Sequence, residues 1–161
     1  MDNEIREIQV ACFRLGEDIY AVDIMRIKEI IRPQKLAALP KAPSFVEGVL
    51  NLRGAVIPVI DLRKRFDMPP REFDESRRFL IISLAVCDMG LAVDEVTEVI
   101  TIPVASIRPS PPVTRGVDAE YLLGVCLVQN YLIMLLNPDK LLTRNETVEL
   151  GSIEEVKEKV Q

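Results

Sequence analysis

Short apolar runs rich in Val and Ile recur along the whole chain, each ending near Gly, Asn, Asp or Pro. Runs of this length and spacing predict strands rather than helices, and a chain built almost entirely of them predicts a sandwich or barrel. Ten strands are expected, at residues 8–15, 19–22, 27–32, 49–53, 55–60, 79–86, 90–93, 96–102, 121–128 and 131–136. Gly16-Glu17-Asp18, Arg53-Gly54, Asp88-Met89-Gly90 and Gln129-Asn130 contain the residue types that tolerate positive φ, so they are expected to join hairpins. Pro40 and Pro43, then Pro109, Pro111 and Pro112, lack the amide that a ladder needs and mark connections between groups of strands. Residues 63–66 predict a short helical turn. In the tail, Ser152-Ile153-Glu154-Glu155 reads as a capping box, and Ile153, Val156 and Val160 share one helical stripe, so a C-terminal helix is expected.

The apolar pattern also repeats. Gly48-Val49 through Phe66 aligns without a gap on Gly124-Val125 through Leu142, at an offset of 76 residues. Both copies read Gly-Val, strand, two-residue turn, strand, helical turn, with Arg53-Gly54 on Gln129-Asn130, Ile57 on Ile133, Asp61 on Asn137 and Lys64 on Lys140. Upstream, Ala21-Val22-Asp23 followed by Glu29-Ile30-Ile31 echoes Ala92-Val93-Asp94 followed by Glu98-Val99-Ile100. A unit of about 70 residues is too long for a solenoid repeat and predicts two related β modules. Ten strands then divide into two small barrels.

With 161 residues, 48% of them hydrophobic, the chain has room for one compact domain or two small fused ones. The net charge of -5, with no basic run longer than Arg63-Lys64-Arg65, makes nucleic acid a poor partner. Apolar runs fall far short of the ~20 residues of a membrane span. The start, Met1-Asp2-Asn3-Glu4, lacks the cationic and apolar regions of a signal peptide, so a soluble cytoplasmic protein is expected, without membrane insertion. Cys12, Cys87 and Cys126 lie in apolar segments too far apart for zinc spacing and read as reduced core residues.

The chain has no His, which removes Ser/His and Cys/His nucleophiles, His metal ligation and phosphohistidine transfer. Gly-rich phosphate loops are missing as well. No catalytic residue, no metal and no cofactor are expected, which leaves a binding module. Asp23, Asp61 and Asp94 each follow a predicted strand and read as caps or turn closures. On the residues alone, two other classes stay open. A small-molecule-binding β-barrel would need a large enclosed pocket with converging polar groups. A hydrolase acting through paired carboxylates would need two buried acids with separated pKa values in a cleft.

The run from Pro43 to Arg63, Pro-Ser-Phe-Val-Glu-Gly-Val-Leu-Asn-Leu-Arg-Gly-Ala-Val-Ile-Pro-Val-Ile-Asp-Leu-Arg, closely resembles the central signature of CheW-like domains. Similar segments stand at Phe13-Arg14-Leu15-Gly16, Tyr20-Ala21-Val22-Asp23-Ile24, Glu29-Ile30-Ile31-Arg32, Gly90-Leu91-Ala92-Val93-Asp94 and Ile107-Arg108-Pro109. The resemblance spans about residues 7–143 and leaves 144–161 as an extension carrying the short helix. The sequence departs from the pattern at Phe66-Asp67-Met68-Pro69-Pro70, where the family has a glycine-containing exit, and in the variable hairpin Cys126-Leu127-Val128-Gln129-Asn130.

The resemblance implies a mainly β fold of two loose five-stranded SH3-like β-barrels. It implies a non-catalytic scaffold or adaptor that couples transmembrane chemoreceptors to the histidine kinase CheA in chemotaxis. An adaptor of a parallel chemosensory pathway, controlling pili or development, is the alternative within that class. The implied partners are the regulatory domain of a CheA-type kinase, the cytoplasmic tip of the receptors, held in a hydrophobic groove between the barrels, and other CheW-like domains. The implied location is the cytoplasm, at membrane-associated receptor arrays. Carried over by position, Ile24, Ile27, Ile30, Gly48, Val96 and Val99 fall at or near the receptor-facing surface with Glu29 beside them, and each aliphatic reads equally well as barrel core. Arg53, before the turn residue Gly54, is expected to offer its guanidinium to carboxylates or carbonyls of a partner. An intramolecular salt bridge to a nearby acid is the alternative for Arg53, while Asn51 and Asp61 read as structural.

Overall fold

The computed structural model describes residues 6–72, 74–111, 113–114, 117–142 and 146. Its strands are β1 (Glu7–Leu15), β2 (Asp18–Asp23), β3 (Ile27–Ile31), β4 (Val46–Leu52), β5 (Ala55–Asp61), β6 (Arg78–Ser83), β7 (Asp88–Val93), β8 (Glu95–Pro103), β9 (Val113–Thr114), β10 (Val117–Asp118), β11 (Leu122–Val128) and β12 (Tyr131–Leu136). The ten expected strands all form, and β9 and β10 add an antiparallel pair of two-residue strands, too short to have a period to read. One α-helical turn, α1 (Leu62–Arg65), follows β5, and short 3-10 turns occupy Ile24–Arg26, Val104–Ser106, Ala119–Tyr121 and Pro138–Lys140. The expected C-terminal helix lies outside the described residues.

Two five-stranded sheets result, one ordered β11-β12-β2-β1-β8 and the other β4-β5-β7-β6-β3. They share one pattern: a hairpin (β11-β12 or β4-β5), a parallel neighbour (β2 or β7), then two antiparallel strands. The two sheets thus repeat one topology, but the chain does not build one sheet from each of the two stretches that align in the sequence. After β2 it crosses to supply β3, β4 and β5 to the β6 sheet, and after β7 it crosses back to supply β8, β11 and β12 to the β1 sheet.

As paired, the sheets are open, with edges β3 and β4 in one and β8 and β11 in the other. Single bridges partly close each edge: Ala37, downstream of β3, bonds Val49 of β4, and Arg108, downstream of β8, bonds Val125 of β11. These crossings explain the Gly-Val that opens both repeats. A Cβ on Gly48 would meet Ala37 O at 2.5 Å, and one on Gly124 would meet Arg108 O at 2.6 Å.

The central strands are buried on both faces, which is why they read as unbroken apolar runs. In β1, Val10 and Cys12 enter a cluster within their own sheet, with Ile133 and Leu135, while Phe13 and Leu15 enter a larger cluster between the sheets. In β6, Phe79 and Ile81 pack with Leu50, Ile57 and Val59, while Leu80 and Ile82 join the shared cluster. Each such side chain contributes about 1.5–3 kcal/mol on burial. Stacked rings run through the shared cluster from Phe13 to Tyr20 to Phe66, at centroid spacings of 5.8 and 5.6 Å.

Both Arg53-Gly54 and Gln129-Asn130 take positive φ at each turn residue, as two-residue hairpins of the twist-matched kind require. Asp88-Met89-Gly90 is not a turn. These residues open β7, and the chain reverses just before them, where Leu84 N donates to Cys87 O. Gly90 is small because Val59 Cγ2 would stand 3.1 Å from its Cβ. At the exit of α1, Asp67 adopts φ 56° and fills the left-handed role in place of a glycine.

Candidate functional site

Three aspartates at strand ends, Asp23 and Asp61 as the last residues of β2 and β5 and Asp94 just after β7, close the chain where it changes direction. Asp23 Oδ1 accepts from Met25 N at 2.9 Å and Asp61 Oδ1 from Arg63 N at 2.9 Å. Asp94, at the crossing from β7 to β8, accepts from Arg63 Nε at 2.8 Å, from Gly16 N at 2.7 Å and from Arg71 Nη1 at 3.2 Å, so it ties the β1-β2 turn to α1. Burial pushes the Asp94 carboxyl up, but the hydrogen bonds from Arg63 and Gly16 and the nearby charges outweigh it and hold the group below the usual carboxylate range. Asp61 moves the other way, raised by burial and then by its hydrogen bond to Glu47. Lys64 Nζ stands 3.2 Å from Glu47, and Arg77 4.0 Å from Asp61, so this pair of a half-buried and a buried acid serves to join β4, β5 and α1.

A second joint lies at the first crossing. Arg26 donates to both carboxylate oxygens of Asp139, at 3.1 and 2.6 Å, and through Nε to Ser83 O at 3.1 Å. It thereby holds the 3-10 turns after β2 and β12 against the β6 strand end. Ile24 opens the first of these turns half-buried, and its neighbour Met25 is 84% exposed.

Apart from Ile24, the apolar and glycine residues assigned by position divide into three groups. Ile27 of β3 and Val96 of β8 are half-buried and pack against the shared cluster, so strands from both sheets contribute to one core. Ile30 and Val99 stay out in solvent, 41% and 50% exposed. Gly48 is buried under Ala37, where a side chain has no room.

Arg53 and Glu29, both predicted as polar partner residues, are bonded to each other. Arg53 Nη1 and Nη2 donate to the two Glu29 oxygens at 2.8 and 2.7 Å, with the Arg53 side chain still 73% exposed. The hydrogen bond to Arg53 holds the Glu29 carboxyl below its ordinary range, and the same bond raises the guanidinium. The pair spans from β3 to the β4-β5 tip, so the opposite edges of the β6 sheet curl towards each other.

A further exposed apolar face had gone unassigned. Leu123 and Leu127 of β11 and Leu132 of β12 project from the hairpin, Leu127 standing opposite Leu132 in register and 67% exposed, with Tyr131 at the turn. The signal was present in the pattern: residues 122–128 carry apolar side chains of both parities, although β11 is an edge strand.

The CheW-like domain model matches residues 9–146. The chain is 32% identical to the chemotaxis protein CheW of Treponema pallidum, over 91% of this chain and 89% of that one. It is 31% identical to the chemotaxis protein CheW of Klebsiella aerogenes, over 83% and 81%. The crystal structure of the scaffolding protein TtCheW from Thermoanaerobacter tengcongensis superposes with a TM-score of 0.82 at 34% identity, covering 91% of this chain and 94% of that one. By sequence and by fold, this chain belongs to the CheW-like domain family.

Proposed function

We propose that the chain is a non-catalytic chemotaxis scaffold that couples the cytoplasmic tip of chemoreceptors to the regulatory domain of a CheA-type histidine kinase. The likeness to the scaffolding protein TtCheW over nearly the whole chain carries this reading. Residues 7–143 form its CheW-like domain, in which each sheet and the segment bridging its edge make a loose SH3-like barrel, and 144–161 are an extension. The protein works in the cytoplasm, recruited to membrane-associated receptor arrays, where other CheW-like domains also pair with it.

The receptor-facing surface is built on Ile24, Ile27, Ile30, Val96 and Val99, of which Ile27 and Val96 pack against the shared core, together with Gly48 of β4. Exposed Ile30 and Val99 supply aliphatic contact, and the Glu29-Arg53 pair forms the polar rim that fixes orientation. The β11-β12 face, on strands at the far end of the sheet order from β8, takes the kinase regulatory domain.

Calorimetry with each partner tests the assignment. Val99→Asp is expected to abolish receptor binding and spare the kinase domain, and Leu127→Asp to do the reverse. No heat with either partner at concentrations on the order of tens of micromolar, with all proteins folded, rejects the scaffold reading.

A further inference from the structure

Phe45 and Tyr121 are related by the same offset of 76 residues as the aligned stretches, and so are Arg65 and Leu141. The structure keeps the equivalence. Phe45 O accepts from Asp61 N at 2.9 Å at the end of the β4-β5 hairpin, and Tyr121 O accepts from Asn137 N at 2.8 Å at the end of β11-β12. Arg65, the last residue of α1, lies against both rings at once, its guanidinium 4.4 Å from the centre of Phe45 and 5.2 Å from that of Tyr121. Its Nε donates to the carbonyl oxygen of Leu141, its own counterpart in the second stretch. Its Nη2 donates to Glu146 Oε1 at 3.4 Å, and the two side chains are only 14% and 19% exposed. Equivalent parts of the two sheets thus meet at one side chain. An arginine at the fully buried position of Leu141 as well would bury a second, like charge, so one stretch supplies the guanidinium and the other a carbonyl.

We propose that Arg65 is a clasp that sets the orientation of the two sheets relative to each other, with Glu146, the last described residue, holding it shut. The apolar cluster that both sheets share favours contact, but hydrophobic burial is non-directional and by itself selects no one angle. The joints at Arg26 and Asp94 lie where the chain itself passes between the sheets. Two ties leave rotation about the line that joins them, and a third tie removes it. Arginine suits that part, because its planar fork presents donors at fixed angles and its face stacks on aromatic rings. Surfaces carried by different sheets then owe their mutual orientation to this clasp.

The test measures residual dipolar couplings of backbone amides in the full chain, comparing the wild type with Arg65→Met, Arg65→Lys and Glu146→Gln. In the wild type, the amides of both five-stranded sheets are expected to fit one alignment tensor. Arg65→Met keeps an apolar stem in the buried site and removes every donor. Its amides are expected to fit one tensor within each sheet but not across the two. Arg65→Lys, which keeps the charge without the fork, gives a smaller departure of the same kind. Glu146→Gln gives the smallest, and with the buried arginine intact it decides the matter if the Arg65 variants fold poorly. A single fit in all three variants, even with a lower unfolding temperature, means that Arg65 adds stability alone and overturns the clasp. Two tensors in the wild type overturn it equally. A departing Arg65→Met beside a Glu146→Gln that matches the wild type strikes Glu146 from the proposal.

Discussion

Arg53 occupies the first position of its turn at φ 51°, and its side chain is exposed there. Its exposure was legible from the turn residues alone. Its partner was not, because Glu29 lies on a strand at the opposite edge of the sheet, and the two approach only through curling that no local pattern records. Exposed ion pairs add little to folding, since solvent competes for both groups. Arg53→Ala is therefore expected to leave the unfolding temperature unchanged while weakening the receptor-scaffold-kinase complex by about tenfold, because the proposed rim loses its planar fork. Glu29→Gln loosens the same fork and is expected to weaken the complex in the same direction. Ile57→Ala is the contrasting substitution. Buried in the cluster within the β6 sheet, it is expected to cost about 2–5 kcal/mol of stability by denaturant titration. Should Arg53→Ala unfold the protein as Ile57→Ala does, the pair is a structural clasp and not a partner surface.

At the scale of elements, the repeat of Gly-Val, strand, turn and strand was fully visible, and the structure supplies its cause. Each glycine lies under a crossing segment, Gly48 under Ala37 and Gly124 under Arg108. Gly48 also has a positive φ, whereas Gly124 has none, so Gly124 isolates the effect of close approach. Gly124→Ala is expected to cost roughly 1–3 kcal/mol, the range for forcing added atoms into packed surroundings, because Arg108 O and Ile107 must move. Stability equal to the wild type would mean that the segment downstream of β8 yields freely and does not close the edge. The misread turn at Asp88-Met89-Gly90 teaches the converse lesson. Glycine serves turns and tight packing alike, and its immediate sequence cannot distinguish a positive φ from a neighbour such as Val59 pressed against the strand.

At the scale of the whole molecule, the sequence predicted two related modules but not the exchange of strands between them, since hydrophobic periodicity reports which face of a strand is buried and not which sheet it joins. The exchange makes the crossings at Asp23 and Asp94 the joints of the molecule. Asp94 ionises more readily folded than unfolded, so its contribution is present above the unfolded value near 3.9 and is lost as pH falls through the lower folded value. Asp61, with its folded pKa raised, contributes below that unfolded value and loses its contribution as pH rises through the folded one. Asp94→Asn is expected to flatten the loss of stability below about pH 4 in denaturant titrations, and an acid limb as steep as the wild type's contradicts the role given to this joint. The exchange also governs cooperativity. Two self-contained modules would unfold as two transitions, but here each sheet holds strands from both repeats and the largest cluster draws on both sheets. Ile57 and Ile133, equivalent in the repeat, lie in the separate clusters of the two sheets. Ile57→Ala and Ile133→Ala are each expected to lower the temperature of one shared transition, with the calorimetric and van't Hoff enthalpies remaining equal. A wild-type scan with two peaks, or a variant that shifts only part of the heat, would show that the sheets unfold separately despite the strands they exchange.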